Sequence, residues 1–131
     1  MQLMTNPPCG GILPLREAIA TYLKEFRGMT VLPEQIVIGA GTEYLYGLLI
    51  QLFGKDKTYA VENPGYRKIP RIYKSWQVPC EYINMDSDGV KVSELEKKRA
   101  DILHISPSHH YPTGIVMPVS RRYELLGWAA K

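Results

Sequence analysis

Short β-branched runs alternate along this chain with stretches of helical periodicity, and turns rich in Gly and Pro separate them. Ile36-Val37-Ile38, Thr58-Tyr59-Ala60-Val61, Gln77 to Ile83 and Ile102-Leu103-His104-Ile105 carry the strand signal. Between them apolar residues fall three and four positions apart: Leu15, Ile19, Tyr22, Leu23 and Phe26, then Leu45, Leu48, Leu49 and Leu52. Pro14 suits the start of the first helix and Gly28 its end. A basic stretch from Tyr66 to about Ser75 and a segment carrying Arg121, Arg122 and Trp128 read as further helices. Ser93 and Glu96 have the S-x-x-E spacing of a capping box for a short helix ending near Ala100. Asp86-Ser87-Asp88-Gly89 reads as a turn. Strands and helices at these intervals match right-handed βαβ units. The expected fold class is α/β, a three-layer sandwich around a mostly parallel sheet of about four strands. Residues 1–13, rich in Pro and Gly, read as an irregular arm.

A chain of 131 residues can bury a core of its own, so one domain or part of one is expected. Hydrophobic residues at 45% and charged residues at 22% are ordinary globular values and argue against disorder. The longest apolar stretch, Leu45 to Phe53, is broken by Gly47 and Gln51 and is far short of a membrane span. Met1 to Thr5 lacks the charged start and apolar run of a secretory signal. A cytoplasmic protein with no membrane partner is the expectation. The net charge of +3 comes from 16 basic and 13 acidic residues spread along the chain, which is no nucleic-acid footprint. Glu96-Lys97-Lys98-Arg99 and Arg121-Arg122 read as solvated helix faces. Cys9 and Cys80 lack any CxxC partner and read as two reduced thiols rather than a zinc site or a disulfide.

Ligands of open α/β sheets bind at the carboxyl ends of the strands, and three turns leave strands there. In Gly39-Ala40-Gly41-Thr42, glycines let backbone amides approach an anion at a helix start, so a phosphate is the natural guest. A tight turn without a ligand accounts for the same residues. Pro64 and Gly65 fix a bend that brings Tyr66 to the mouth of the sheet, where it either stacks on a flat ring or serves as a rim aromatic. The third turn is Ser106-Pro107-Ser108-His109-His110-Tyr111-Pro112-Thr113-Gly114. Its paired histidines invite a metal or acid–base reading, yet no carboxylate accompanies them locally, and loop histidines with polar partners is the plainer reading.

Taken in order, Leu13-Pro14-Leu15-Arg16-Glu17-Ala18-Ile19-Ala20, Gly39 to Thr42, Val61-Glu62-Asn63-Pro64-Gly65-Tyr66, and Ser106 to Gly114 followed by Arg121-Arg122 carry a family resemblance. The chain resembles the aminotransferase-like domain of MocR-type regulators, a branch of the GntR family, over nearly its whole length. The loop is the specific part, because S-H-Q-F-P-T-G or a close variant followed by an R-R helix separates this branch from ordinary class I aminotransferases. The resemblance implies a fold-type I domain that binds pyridoxal 5'-phosphate. It implies that the backbone at Ala40, Gly41 and Thr42 holds the cofactor phosphate, that Tyr66 stacks on the pyridine ring, and that His109 and Tyr111 belong to the same cofactor site. Tyr111 stands where classical aminotransferases have an Asn that bonds the cofactor's phenolic oxygen, and His110 where the branch has Gln.

The resemblance also places the cofactor-anchoring lysine, and the Asp that pairs with the pyridine nitrogen, beyond the R-R helix and past Lys131. It places a DNA-binding winged helix-turn-helix before Met1. The expectation is therefore a middle slice of a longer protein, residues 1–131 forming part of the large domain, without a catalytic residue of its own and binding pyridoxal phosphate weakly or not at all. Lys24, Lys55, Lys68 and Lys97 read as solvated. The parent would be a homo-oligomer that senses a small amino compound and touches DNA only through the missing domain. The rival reading is a fragment of a genuine class I/II amino-acid aminotransferase, and a third is an α/β module that uses the Gly39 turn for another phosphate ligand. In the family's sheet, Ile36–Ile38 is separated from the other three strands by strands this sequence lacks. It is expected either to move against Ile102–Ile105 or to pair with another chain, because open edges leave backbone groups unpaired.

Overall fold

The computed structural model describes residues 6–131, which divide into two compact units, up to Tyr46 and from Gly47 onward. The expected irregular arm is irregular over residues 6–12, and its residues 1–5 lie outside the described residues. In the first unit, α1 spans Leu13–Arg27, with Pro14 in its first turn. The helix stops at Gly28, whose φ of 65° lets its N–H reach back to the Leu23 carbonyl. A 3-10 turn follows at Pro33–Gln35, and the Arg16 guanidinium donates to the Pro33 carbonyl at 3.1 Å.

Ile36–Ile38 corrects one expectation. The segment is not a strand and joins no sheet. Its Ile38 N–H donates instead to the Gly10 carbonyl at 3.1 Å. The β-branched run supplies the preference for extended backbone, but a strand exists only where a partner ladder is within reach. The idea that it moves against Ile102–Ile105 fails with it, because Ile102–His104 is an edge of the sheet with one strand beside it. Helix α2, Thr42–Phe53, closes this part of the chain and leads into the second unit.

The second unit is built on a four-stranded sheet. Strand β1 is Tyr59–Asn63, β2 is Cys80–Asp86, β3 is Gly89–Val90 and β4 is Ile102–His104. Their order is β3-β2-β1-β4, with β1 parallel to both β2 and β4 and the short β3 antiparallel. Helix α3, Lys68–Ser75, makes the crossover from β1 to β2. Helix α4, Val92–Lys98, makes the one that ends in β4. Helix α5, Val119–Ala129, ends the chain.

Alternation along β1 separates two apolar layers. Tyr59 and Val61 pack with Ile50, Tyr73 and Val78 on one face. Ala60 packs with Ile83, Val90, Leu95, Met117 and Leu125 on the other. The three layers expected from the sequence are thus present. Strand β3 went unread because two residues carry no periodicity; the Asp86 to Gly89 turn makes a tight hairpin there.

The capping box is the second correction. Helix α4 begins at Val92 with Lys91 as its cap, and no side chain bonds the cap. Ser93 therefore lies inside the first turn. The carboxylate that is used belongs to Glu94, which accepts from the Asn84 N–H at 2.9 Å and from its side-chain amide at 3.2 Å. Tying the helix start to β2 wins over a local cap.

Ile83 is fully buried at the centre of the layer under α4 and α5. Replacing it by Ala should cost roughly 2–5 kcal/mol, because the packed neighbours cannot close the cavity. Urea unfolding should show this as a lower midpoint at an unchanged slope, whereas Val116→Ala at an exposed site should change the midpoint little.

Candidate functional site

The chain leaves β1 through Glu62, Asn63, Pro64 and Gly65, with the Asn63–Pro64 peptide cis. A Cβ on Gly65 would collide with the Glu62 carbonyl oxygen, so only glycine lets the turn double back this closely. The turn delivers Tyr66, 54% exposed, to the wall of a cavity of about 520 Å³ at the carboxyl end of the sheet. Arg71 and Lys74 line the same cavity from one face of α3, and Arg67 from the residue that caps it, the spacing that stacks side chains along a helix. Tyr82 of β2 and His104 of β4 line it from the sheet.

The Ser106–Gly114 loop is held by its own hydrogen bonds and by α5. The His110 N–H donates to the Ile115 carbonyl at 3.2 Å, and the Gly114 N–H to the His110 carbonyl at 2.8 Å. Arg122 donates to the carbonyls of Met117 at 3.0 Å and Pro107 at 3.1 Å, and to the Ser108 hydroxyl at 3.3 Å. Arg121 grips Asp86 at 3.1 Å and the Val90 carbonyl at 2.6 Å, joining α5 to the β2–β3 hairpin. The Arg pair is therefore half-buried structural clamping, not the solvated face expected from sequence.

His109 and Tyr111 are exposed on the loop, whereas His110 is 4% exposed. The Tyr111 ring meets the Tyr66 ring edge-on, with centroids 5.9 Å apart. The structure thus brings Tyr66 and Tyr111 together and sets His109 two residues away on the same loop. His110 has the polar partner the plainer reading requires, the Thr113 hydroxyl at 2.6 Å from Nδ1. It also has a carboxylate that the sequence did not reveal: Glu62 Oε2 lies 3.4 Å from Nε2.

Glu62 is the residue that sequence reasoning passed over. Glu62 is 9% exposed, and its carboxyl accepts the Ser106 N–H at 3.0 Å. Burial pushes its pKa up to about 7, with the Ser106 N–H pulling partly the other way. The available signal was a lone acid closing an otherwise apolar strand run. His104 was also missed; its Nδ1 lies 3.0 Å from the Tyr73 hydroxyl, and burial lowers its pKa. Burial pushes the Cys80 thiol up to about 11, which fits an inert reduced cysteine.

In the first unit, Ala40, Gly41 and Thr42 are all exposed where α2 begins. The Gly41 N–H turns back to the Gly39 carbonyl at 2.9 Å. Ala40 also lines a cavity of about 430 Å³ with Gly39, Tyr44, Ile38 and Gly11. A helix start with exposed backbone is suited to an anion. Among the described residues no group of three or more His, Cys, Asp or Glu could hold a metal ion. No helix among them is long and apolar enough to cross a membrane. Lys24, Lys55, Lys68 and Lys97 are exposed, Lys55 over the Trp76 ring at 5.4 Å.

The family described as aminotransferase class I and II matches residues 2–129. The chain belongs to this family. Within the aminotransferase class I and II family the fold agrees as well: an archaeal alanine:glyoxylate aminotransferase superposes with a TM-score of 0.81 at 27% identity, over 96% of this chain and 34% of that one. The HTH-type transcriptional regulator YdeL of Bacillus subtilis is 33% identical over 121 residues, covering 92% of this chain and 26% of its own length. The HTH-type pyridoxine biosynthesis transcriptional regulator PdxR of Corynebacterium glutamicum is 35% identical over 130 residues, covering 95% and 27%. The chain spans about a quarter of the length of the curated relatives it matches.

The raised pKa of Glu62 fixes the sign of a pH effect. A carboxyl that holds its proton more tightly folded than unfolded contributes stability in full below its ordinary value of 4.5 and loses it as pH rises through about 7. Thermal melts between about pH 5 and about pH 8 should therefore show a falling midpoint that Glu62→Gln flattens. Equal slopes in the two proteins would contradict the assignment.

Proposed function

We propose that this chain is part of the pyridoxal-phosphate-binding, effector-sensing aminotransferase-like domain of a GntR/MocR-type transcription regulator, and that it does not itself catalyse transamination. The observation that carries the reading is the pairing of half-exposed Tyr66 with Tyr111 at the carboxyl end of a parallel sheet. That is where open α/β sheets take their ligands. In the first unit Ala40, Gly41 and Thr42 would take a phosphate. In the second, Tyr66 would stack on a flat ring, with His109 and Tyr111 beside it. Within the second unit the two exposed rings fit the flat ring of such a group, and within the first the open helix start fits a phosphate. Pyridoxal phosphate supplies an electron-poor ring and an aldehyde that reacts with amines.

Arg67, Arg71 and Lys74 would hold the acid group of a small amino effector in the cavity beside Tyr66. DNA contact and assembly into a homo-oligomer belong to the whole regulator. Similarity to YdeL and PdxR at 33% and 35% identity supports the regulator reading over the enzyme reading, whose supporting structural neighbour stands at 27%. The genuine aminotransferase remains the rival, and a winged helix-turn-helix encoded upstream in the same gene decides for the regulator.

Pyridoxal phosphate titrated into the chain, followed by tryptophan fluorescence, should give weak, saturable binding that pyridoxal without its phosphate does not reproduce. Tyr66→Ala should weaken it about three- to ten-fold through the lost stacking. Tight binding with the absorbance of a covalently anchored cofactor would overturn the expected inertness, and an unchanged affinity in Tyr66→Ala would overturn the site.

A further inference from the structure

Two buried polar atoms of the second unit have no hydrogen-bond partner: Glu62 Oε1 and His110 Nε2. They sit on side chains that face each other, Glu62 Oε2 and His110 Nε2 being 3.4 Å apart with both side chains more than nine-tenths buried. Leaving such atoms unpaired costs about 1–3 kcal/mol each, so a buried native pair is expected to close the gap. We propose that Glu62 and His110 form a positioning pair, in which one proton shared between Oε2 and Nε2 holds the Ser106–Gly114 loop against the Asn63–Tyr66 turn and so sets Tyr111 beside Tyr66.

The connections run through both elements. Glu62 closes β1 immediately before the turn, and its Oε2 also accepts the Ser106 N–H where the loop begins. His110 sits mid-loop, its Nδ1 on the Thr113 hydroxyl at 2.6 Å, and that hydroxyl accepts the Ile115 N–H at 3.3 Å. The proton has two resting places: on Glu62, as an acid donating to Nε2, or on His110, as an imidazolium donating to a carboxylate. Both arrangements give Nε2 a partner and leave Oε1 without one, and a neutral imidazole carrying its hydrogen on Nε2 still donates to the carboxylate while Nδ1 accepts from the Thr113 hydroxyl.

The other ionisable groups around the pair are engaged elsewhere or lie in the cavity. On β4, His104 bonds Tyr73 of α3. On β2, Glu81 pairs with Lys98 of α4 at 2.7 Å, and Tyr82 lines the cavity. On α5, Arg122 is bound to the loop's own carbonyls. On the α3 side, Arg67, Arg71 and Lys74 line the cavity that Glu62 also borders.

The value of the pair to a cofactor rests on the proposed function, whereas the pairing itself does not, so the test omits pyridoxal phosphate. The carboxyl carbon of Glu62, the imidazole of His110 and the ring protons of Tyr66 and Tyr111 are followed by NMR across neutral pH. His110→Gln should move the Glu62 midpoint by about one pH unit or more, a ten-fold change in proton affinity. The Tyr66–Tyr111 cross-ring contact should survive Glu62→Gln and disappear in Glu62→Ala. A Glu62 midpoint indifferent to His110→Gln, or a ring contact that Glu62→Ala leaves intact, would overturn the pair. If Glu62→Ala does not fold, the His110→Gln arm decides alone. Failure of the chain to bind pyridoxal phosphate would leave these results unaffected.

Discussion

A carboxyl group buried at the end of the central strand has to be satisfied by whatever the chain can bring to it. Glu62 is that group. In the interior a carboxylate without partners is far costlier than in water, so it either keeps its proton or gathers donors. Here it does some of each. It takes the Ser106 N–H and lies beside His110, which together tether a loop that would otherwise be a long excursion from β4 to α5. The same strand end throws off the turn carrying Tyr66. The two aromatic rings that give the site its character are thus positioned from one short stretch, Val61 to Tyr66, and one loop.

That stretch can do this because β1 is held on both sides. Its pairing with β2 and β4 is parallel, and both apolar layers of the unit close over it. Arg121 and Arg122 extend the hold to α5, one by clamping the hairpin and the other by collecting the loop's carbonyls. A pair of arginines that composition alone assigns to solvent is therefore part of the scaffold. The site sits on a rigid frame of backbone bonds, with the polar side chains aimed from it.

What could be read from sequence was what is determined locally. Pro14 and Gly28 bracket α1 because their backbone preferences need no distant partner. The runs around Tyr59, Ile83 and Leu103 became strands because each met a neighbour. Ile36–Ile38 is wholly β-branched and did not, its Ile38 N–H going to the Gly10 carbonyl instead of to a strand. The cap at Ser93 failed for a related reason: Glu94 finds a better bond to Asn84 on another element. The places of Tyr66 and Tyr111 at the carboxyl end of the sheet were legible from their turns. The carboxylate facing His110 was not, because β1 and the loop are far apart in sequence and meet only through the sheet.

Burial of Glu62 shows most directly in its protonation near neutral pH. Infrared difference spectra of the carboxyl stretch, wild type minus Glu62→Gln, report that acid alone as pH is raised from about 4 to about 9. The signal should change with a midpoint at about 7. A midpoint at the ordinary 4.5 would contradict a Glu62 that keeps its proton through burial.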